Sequence, residues 1–119
     1  MKSSINSIAL VFQTISHNKT LLMRYFSIIT EIKNKCISKA RQTNIIEHMN
    51  ACNKIDIEYD KLVHLIKEQN EFEKQCVDFC NTHTLSENDL DTINAVVEQL
   101  TVRFNAIRQN ILIQEKICS

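Results

Sequence analysis

Residues 86–118 read SENDLDTINAVVEQLTVRFNAIRQNILIQEKIC, and this stretch decides the fold class. Its apolar side chains alternate at intervals of three and four residues over four heptads, which is the pattern of a helix packed lengthwise on another helix. At a rise of about 1.5 Å per residue, such a helix is about 50 Å long. The apolar positions, here called the third seam, are Leu90, Ile93, Val97, Leu100, Phe104, Ile107 and Ile111, continued by Gln114 and Cys118.

Two overlapping capping boxes mark the start of this helix. Thr84 is followed three residues later by Glu87, and Ser86 is followed in the same way by Asp89. A hydroxyl and an acid at this spacing satisfy backbone N–H groups of the first turn, and the acids suit the positive end of the helix dipole. We therefore expect a helix over residues 86–117.

The chain of 119 residues contains no glycine and no proline. Tight turns, hairpins and phosphate-binding loops depend on these two residue types. Their absence disfavours or excludes dinucleotide-binding folds, P-loops, nucleophile elbows and β-sandwiches. The architecture that remains is all-α.

The first segment repeats the seam spacing and carries a second apolar stripe beside it. Its middle is thus apolar over a broad arc, and we expect it to touch two neighbours. The seam comprises Ile5, Ile8, Phe12, Ile15, Leu22, Phe26, Ile29, Cys36 and Ala40, and the adjacent stripe comprises Leu21, Tyr25, Ile28 and Ile32.

Asparagine, serine and threonine supply the breaks between helices, because they compete for backbone hydrogen bonds. One break is expected near residues 41–44, where Asn44 is placed to cap the second helix, and another at residues 81–86. The predicted helices span approximately residues 3–41, 44–80 and 86–117 in a single domain, 1–119. The predicted fold is an elongated antiparallel helical bundle or coiled coil of two to three long helices.

A monomer of this design leaves apolar surface exposed at residues 21–32 and 111–117. We therefore expect an obligate homo- or hetero-oligomer that assembles through helix packing. The expected interface is the third seam from Leu90 to Ile111, together with Phe26 and Ile29.

Charge is balanced overall, with 14 bases and 14 acids, but it is sorted along the chain. Residues 1–42 hold seven bases and one acid, whereas residues 43–81 hold four bases and eight acids. Either the basic first helix lies against the acidic helices, or its basic cluster contacts an anionic partner. Nucleic acid and a membrane surface are the less favoured partners. Against nucleic acid, few aromatic residues interleave with the bases and no recognition fold is evident. The cluster consists of Lys33, Lys35, Lys39 and Arg41.

Four polar residues occupy seam positions where apolar residues would stabilise more. Such residues either fix helix register by being buried or extend their polar ends to the edge of the interface, and both alternatives stay open. The four are Lys19, Lys33, Gln69 and Gln114.

Candidate reactive groups are sparse. Cys76, Cys80 and His83 could share one helix face, but zinc needs a fourth ligand and the usual turn between paired cysteines is missing. His48 and Cys52 lie four residues apart, and nothing in the sequence supplies an oxyanion hole for them. We predict no catalytic, cofactor-binding or metal-binding residue, no cofactor and no enzymatic activity.

The five cysteines form an odd set at mostly apolar seam positions, which favours reduced thiols over a disulfide framework. No stretch of 18 uninterrupted apolar residues is present. These features predict an intracellular protein, cytoplasmic or nuclear.

The sequence thus predicts a non-enzymatic structural or adaptor subunit that assembles through coiled-coil packing into a homo- or hetero-oligomeric complex. In pattern only, it resembles small subunits of cytoskeletal, kinetochore or tethering complexes. One alternative is a compact helical regulator that binds a partner's amphipathic helix. The other is a peripheral binder of anionic surfaces that acts through the basic first helix.

Overall fold

The computed structural model describes the backbone of residues 2–119 and the side chains of residues 8–119, so the predicted seam position Ile5 lies outside the described side chains. The chain forms helices α1 (Lys2–Thr43), α2 (Ile46–Thr82) and α3 (Glu87–Cys118), and residues 2–119 include no strand. The all-α prediction is confirmed, and each predicted helix boundary lies within two residues of the observed one.

The three helices lie side by side in an elongated bundle of 62 × 19 × 17 Å. Successive helices are antiparallel, because each pairs with the next in reverse order. The Lys33 ammonium lies 2.7 Å from the Asp56 carboxylate, which joins α1 to α2. The Asn110 side-chain amide donates to Glu58 over 3.2 Å, which joins α3 to α2.

As a result, α1 and α3 run parallel to each other. The Asn18 side-chain amide donates to the Thr101 hydroxyl over 3.2 Å. Further along both helices, the rings of Tyr25 and Phe104 meet edge to face with centroids 5.7 Å apart. Residues of α1 and α3 therefore stay in step along the bundle, and this alignment positions the site described below.

The core draws on all three helices. Fully burying an aliphatic side chain contributes about 1.5–3 kcal/mol to stability. The largest fully buried residues are Ile15, Ile29 and Cys36 in α1, Ile55, Leu62, Leu65 and Gln69 in α2, and Ile111 in α3.

The turn between α1 and α2 corrects the expected role of Asn44. This residue ends α1 with a φ of 54°, and its N–H donates to the Ala40 carbonyl over 3.0 Å. Asparagine tolerates this left-handed conformation, which glycine usually provides at a helix C-terminus. The N-cap of α2 is Ile45, which makes no side-chain capping bond. Asn44 therefore terminates one helix and does not cap the next.

The start of α3 follows one of the two predicted capping boxes. Ser86 is the N-cap: its hydroxyl accepts from the Asp89 N–H, and its own N–H donates to the Asp89 carboxylate over 2.9 Å. The backbone N–H of Ser86, followed by its hydroxyl, lowers the pKa of Asp89. Thr84 lies before the cap, so the pair with Glu87 does not form the box.

Replacing Ser86 by alanine is expected to lower the free energy of unfolding by about 1 kcal/mol, because the first turn of α3 loses an acceptor. Denaturant unfolding followed by circular dichroism measures this change. Thr84→Ala is the matched control and should have little effect. A larger loss from Thr84→Ala than from Ser86→Ala would show that the helix starts at the other box.

Candidate functional site

The residues predicted to carry assembly form the chain's own core. Of the third seam, Ile93 is half-buried and the other apolar residues are buried; in α1, Ile29 is buried and Phe26 half-buried. Their neighbours are side chains of the same chain, in two adjoining clusters that involve all three helices. These residues are therefore covered by the chain itself and are not exposed to another molecule in the folded bundle.

The clearest exposed surface for binding another molecule is a groove between the parallel helices α1 and α3. Ile28 of α1 is 47% exposed and Leu112 of α3 is 50% exposed, and both line the same depression of about 500 Å³. These are parts of the two stretches, 21–32 and 111–117, that the sequence predicts to be exposed in a monomer. The groove is lined by Tyr25, Ile28, Ile32, Asn105, Arg108, Gln109, Leu112 and Glu115.

This α1/α3 groove continues beyond its centre in both directions. Toward the C-terminal ends of the two helices, Ile32 and Glu115 also border a second depression of about 300 Å³, which reaches Lys35. Toward their N-terminal ends, Arg108 also borders a smaller depression that reaches Asn18. From Asn18 to Lys35 the groove is about 25 Å long at the helical rise, enough for about five turns of a further helix.

An aromatic pair and an arginine shape the middle of the groove. The Arg108 guanidinium lies 5.8 Å from the Tyr25 ring centroid and 5.4 Å from that of Phe104. Burial raises the pKa of the Tyr25 phenol, against the opposing effect of the nearby Arg108 charge. The wall is thus a packed aromatic surface that carries a cation.

The structure divides the predicted basic cluster. Lys33 faces α2, where its ammonium pairs with Asp56 and lies 4.9 Å from the Tyr59 ring centroid. The hydrogen bond to Asp56 raises the pKa of Lys33. Lys35 lines the α1/α3 groove, and Lys39 follows it at the next position of the same stripe. Arg41 is exposed and falls outside this series.

All four ion pairs among residues 8–119 use an acid of α2. None joins α1 to α3, and none includes Lys35, Lys39, Arg108 or Lys116. The pairs are Lys19 with Glu73, Lys33 with Asp56, Lys61 with Glu58, and Arg103 with Glu68.

The polar seam residues divide between the two predicted roles. Gln69 is only 1% exposed, and its side-chain amide donates to the Ile15 carbonyl over 3.2 Å, which ties α2 to α1. Gln114 is also buried. Lys19 and Lys33 instead extend to the edge of the α1–α2 contact, where they form their ion pairs.

Three cysteines, one from each helix, meet near the end of the bundle where α3 stops. Cys36 and Cys118 are buried in the main core, and Cys52 packs against it. Burial, with the nearby Cys118 thiol, raises the pKa of Cys36 to about 12. Burial also raises the pKa of Cys52, again with a contribution from Cys118. Sequence analysis missed this grouping, although each cysteine occupies a position on the buried side of its helix.

The candidate ligands and nucleophiles named from the sequence do not converge. His83 stacks on Phe79 with ring centroids 4.4 Å apart, and its Nδ1 lies 2.7 Å from the Thr82 hydroxyl. The Nδ1 of His48 lies 2.8 Å from the Thr43 hydroxyl, so this ring is held at the α1–α2 turn. In the described part of the chain, no group of three or more His, Cys, Asp or Glu side chains is arranged to hold a metal ion.

Comparisons of this chain with protein-family models, with curated proteins and with solved structures found no match. None of the described helices has the length and apolar character needed to cross a membrane.

Proposed function

We propose that this chain is a non-enzymatic adaptor or structural subunit whose α1/α3 groove binds an amphipathic helix of a partner protein. The observation that carries the proposal is that Ile28 and Leu112, on two different helices, are both about half exposed in one continuous groove. Apolar side chains arranged along a groove are the usual docking surface for a helix whose anchors recur every three or four residues.

The bundle geometry supports a helix as the occupant. Two parallel helices with a groove between them present the same surface that a third helix packs on in a bundle, so a partner helix here completes a four-helix arrangement. Ile28, Ile32 and Leu112 supply the apolar contacts, and about 25 Å of groove accommodates a segment of about 17 residues. The proposed assembly is thus hetero-oligomeric. The third seam packs within this chain, and the α1/α3 groove contacts the helix of the partner chain.

The thiols bear on where this adaptor would work. All five cysteines are free, and three of them are buried. Free thiols at core positions are typical of reducing compartments, so we place the proposed function inside the cell, in the cytoplasm or nucleus.

Leu112→Glu is expected to weaken helix binding at least tenfold, because it puts a charge where an apolar anchor docks. The probe is a fluorescent 17-residue helical peptide whose leucines are spaced alternately three and four residues apart. The positions that flank the leucine stripe are glutamine. Fluorescence anisotropy gives its affinity for the wild-type chain and for the variant.

Ile113→Glu is the matched control, since Ile113 is the next residue of α3, is 54% exposed and does not line the groove. It should change peptide affinity less than twofold, and both variants should keep the wild-type circular dichroism spectrum. Equal loss from the two variants, or no binding to the wild-type chain, would contradict the proposed function.

A further inference from the structure

We infer that the helix bound in the α1/α3 groove carries acidic side chains along the flank that meets Lys35 and Lys116. This inference rests on the proposed function, because it specifies the partner of the same site. It comes from the charges around the groove. The apolar contacts alone do not determine which charge the flanks of the bound helix carry.

Three bases of α1 differ in what lies opposite them. Lys19 and Lys33 face α2 and are neutralised by Glu73 and Asp56. Lys35 faces the groove and has no ion pair within residues 8–119. Of these three bases, the two on the α2 side therefore have an acid opposite them, and Lys35 on the groove side has none.

The α3 wall of the groove also carries bases without ion pairs. Arg108 lies in the middle and Lys116 near the C-terminal end, and neither has an ion pair within the described side chains. Lys116 also occupies the last turn of α3, where a cation compensates the free carbonyls. Lys35 lies two turns before the end of α1, so that role does not account for it.

The charges select a partner of different sequence over a second copy of this chain. Glu115 is the one acid among the residues that line the two larger depressions, against three bases, Lys35, Arg108 and Lys116. A second copy packed groove to groove adds the same excess of bases. A helix with glutamate or aspartate on its flanks supplies the missing charge and is steered to the groove by it.

Three peptides test this inference. They share the leucine positions of the probe above and differ only at the flanking positions, which are glutamate, glutamine or lysine. The wild-type chain should bind the glutamate peptide at least tenfold more tightly than the lysine peptide at low salt, and added salt should reduce this ratio.

The double variant Lys35→Glu/Lys116→Glu should reverse the order of the two charged peptides. Its matched control is Arg41→Glu/Lys74→Glu, which replaces two exposed bases outside the groove. Each double variant changes two positive charges to negative and takes the formal net charge from 0 to −4. The control should retain the wild-type preference, and circular dichroism should show that both variants stay folded.

The outcomes separate this inference from the proposed function. Binding of all three peptides with equal affinity would overturn the acidic partner and leave the groove as a helix-binding site. Equal effects of the two double variants would overturn it as well, since net charge alone would then explain the preference. Failure of every peptide to bind would overturn the proposed function itself. Binding to vesicles of phosphatidylserine, lost in Lys35→Glu/Lys116→Glu and without binding of the glutamate peptide, would identify a lipid-surface binder instead.

Discussion

Replacing both Leu100 and Phe104 by glutamate is expected to unfold the three-helix bundle. The two side chains are 6% and 7% exposed and belong to the same core cluster. Each glutamate would be buried without a partner, which costs several kcal/mol, and the edge-to-face contact between Phe104 and Tyr25 would be lost. Domains of this kind have about 5–15 kcal/mol of stability in total, so the two changes together remove most or all of it.

Circular dichroism at room temperature and a thermal melt measure this loss directly. The control is Val102→Glu, in the same turn of α3 but with its side chain exposed, and it should retain a cooperative melt near that of the wild-type chain. The contrary outcome is a Leu100→Glu/Phe104→Glu variant that stays helical while light scattering shows an oligomer dissociating. The third seam would then be an interface between chains, as the sequence alone suggests.

The sequence was sufficient to predict the helices because their signals are local. The three-and-four spacing from Leu90 to Ile111 predicts a helix with one buried face, and Ser86 with Asp89 marks where it begins. Asn44 shows the limit of such reasoning. An asparagine between two helices can cap the second or end the first, and only its backbone conformation decides between these roles.

The sequence did not reveal which molecule covers each buried face. A heptad pattern requires a neighbour but does not distinguish a helix of the same chain from a helix of another. The third seam is filled by α1 and α2, so the residues first expected to join subunits are core residues. The stretches at 21–32 and 111–117, expected to be exposed, contribute Ile28 and Leu112 to the candidate site.

Two features depend on how helices that are distant in sequence align: which residues border the groove, and which cysteines lie together. Ile28 and Leu112 border the same depression, and Cys36 lies beside Cys118, only because α1 and α3 are parallel and in step. Each pair is separated by more than 80 residues, and spacing within one helix carries no information about a position on another. The sequence therefore predicts the apolar stripes and the bases separately, without showing that they border one groove.

Raising the pH from about 8 to about 10 is expected to destabilise the chain steeply, because the buried Cys36 thiol keeps its proton until the bundle opens. The pKa of Cys36 rises from the ordinary 9.0 to about 12 on folding, chiefly through burial. Above pH 9 the unfolded chain has released this proton and the folded chain still holds it, so stability falls as the pH rises. Below pH 9 the contribution is fully present. The slope approaches about 1.4 kcal/mol per pH unit for each such thiol.

Denaturant unfolding at a series of pH values, with a non-thiol reductant present, measures this slope. Tyr25, whose ordinary pKa of 10.0 is raised on folding, adds a smaller loss of the same sign near pH 10. Because Cys36→Ala keeps Tyr25, the difference in slope between this variant and the wild-type chain isolates the Cys36 thiol. Cys36→Ala should be less stable than the wild-type chain at neutral pH, since it leaves a small cavity, but its stability should decline less on going to pH 10. A residual decline is expected from Cys52, whose pKa is also raised by burial. The same slope in Cys36→Ala as in the wild-type chain would show that Cys36 ionises alike in both states, contrary to its burial among the three helices.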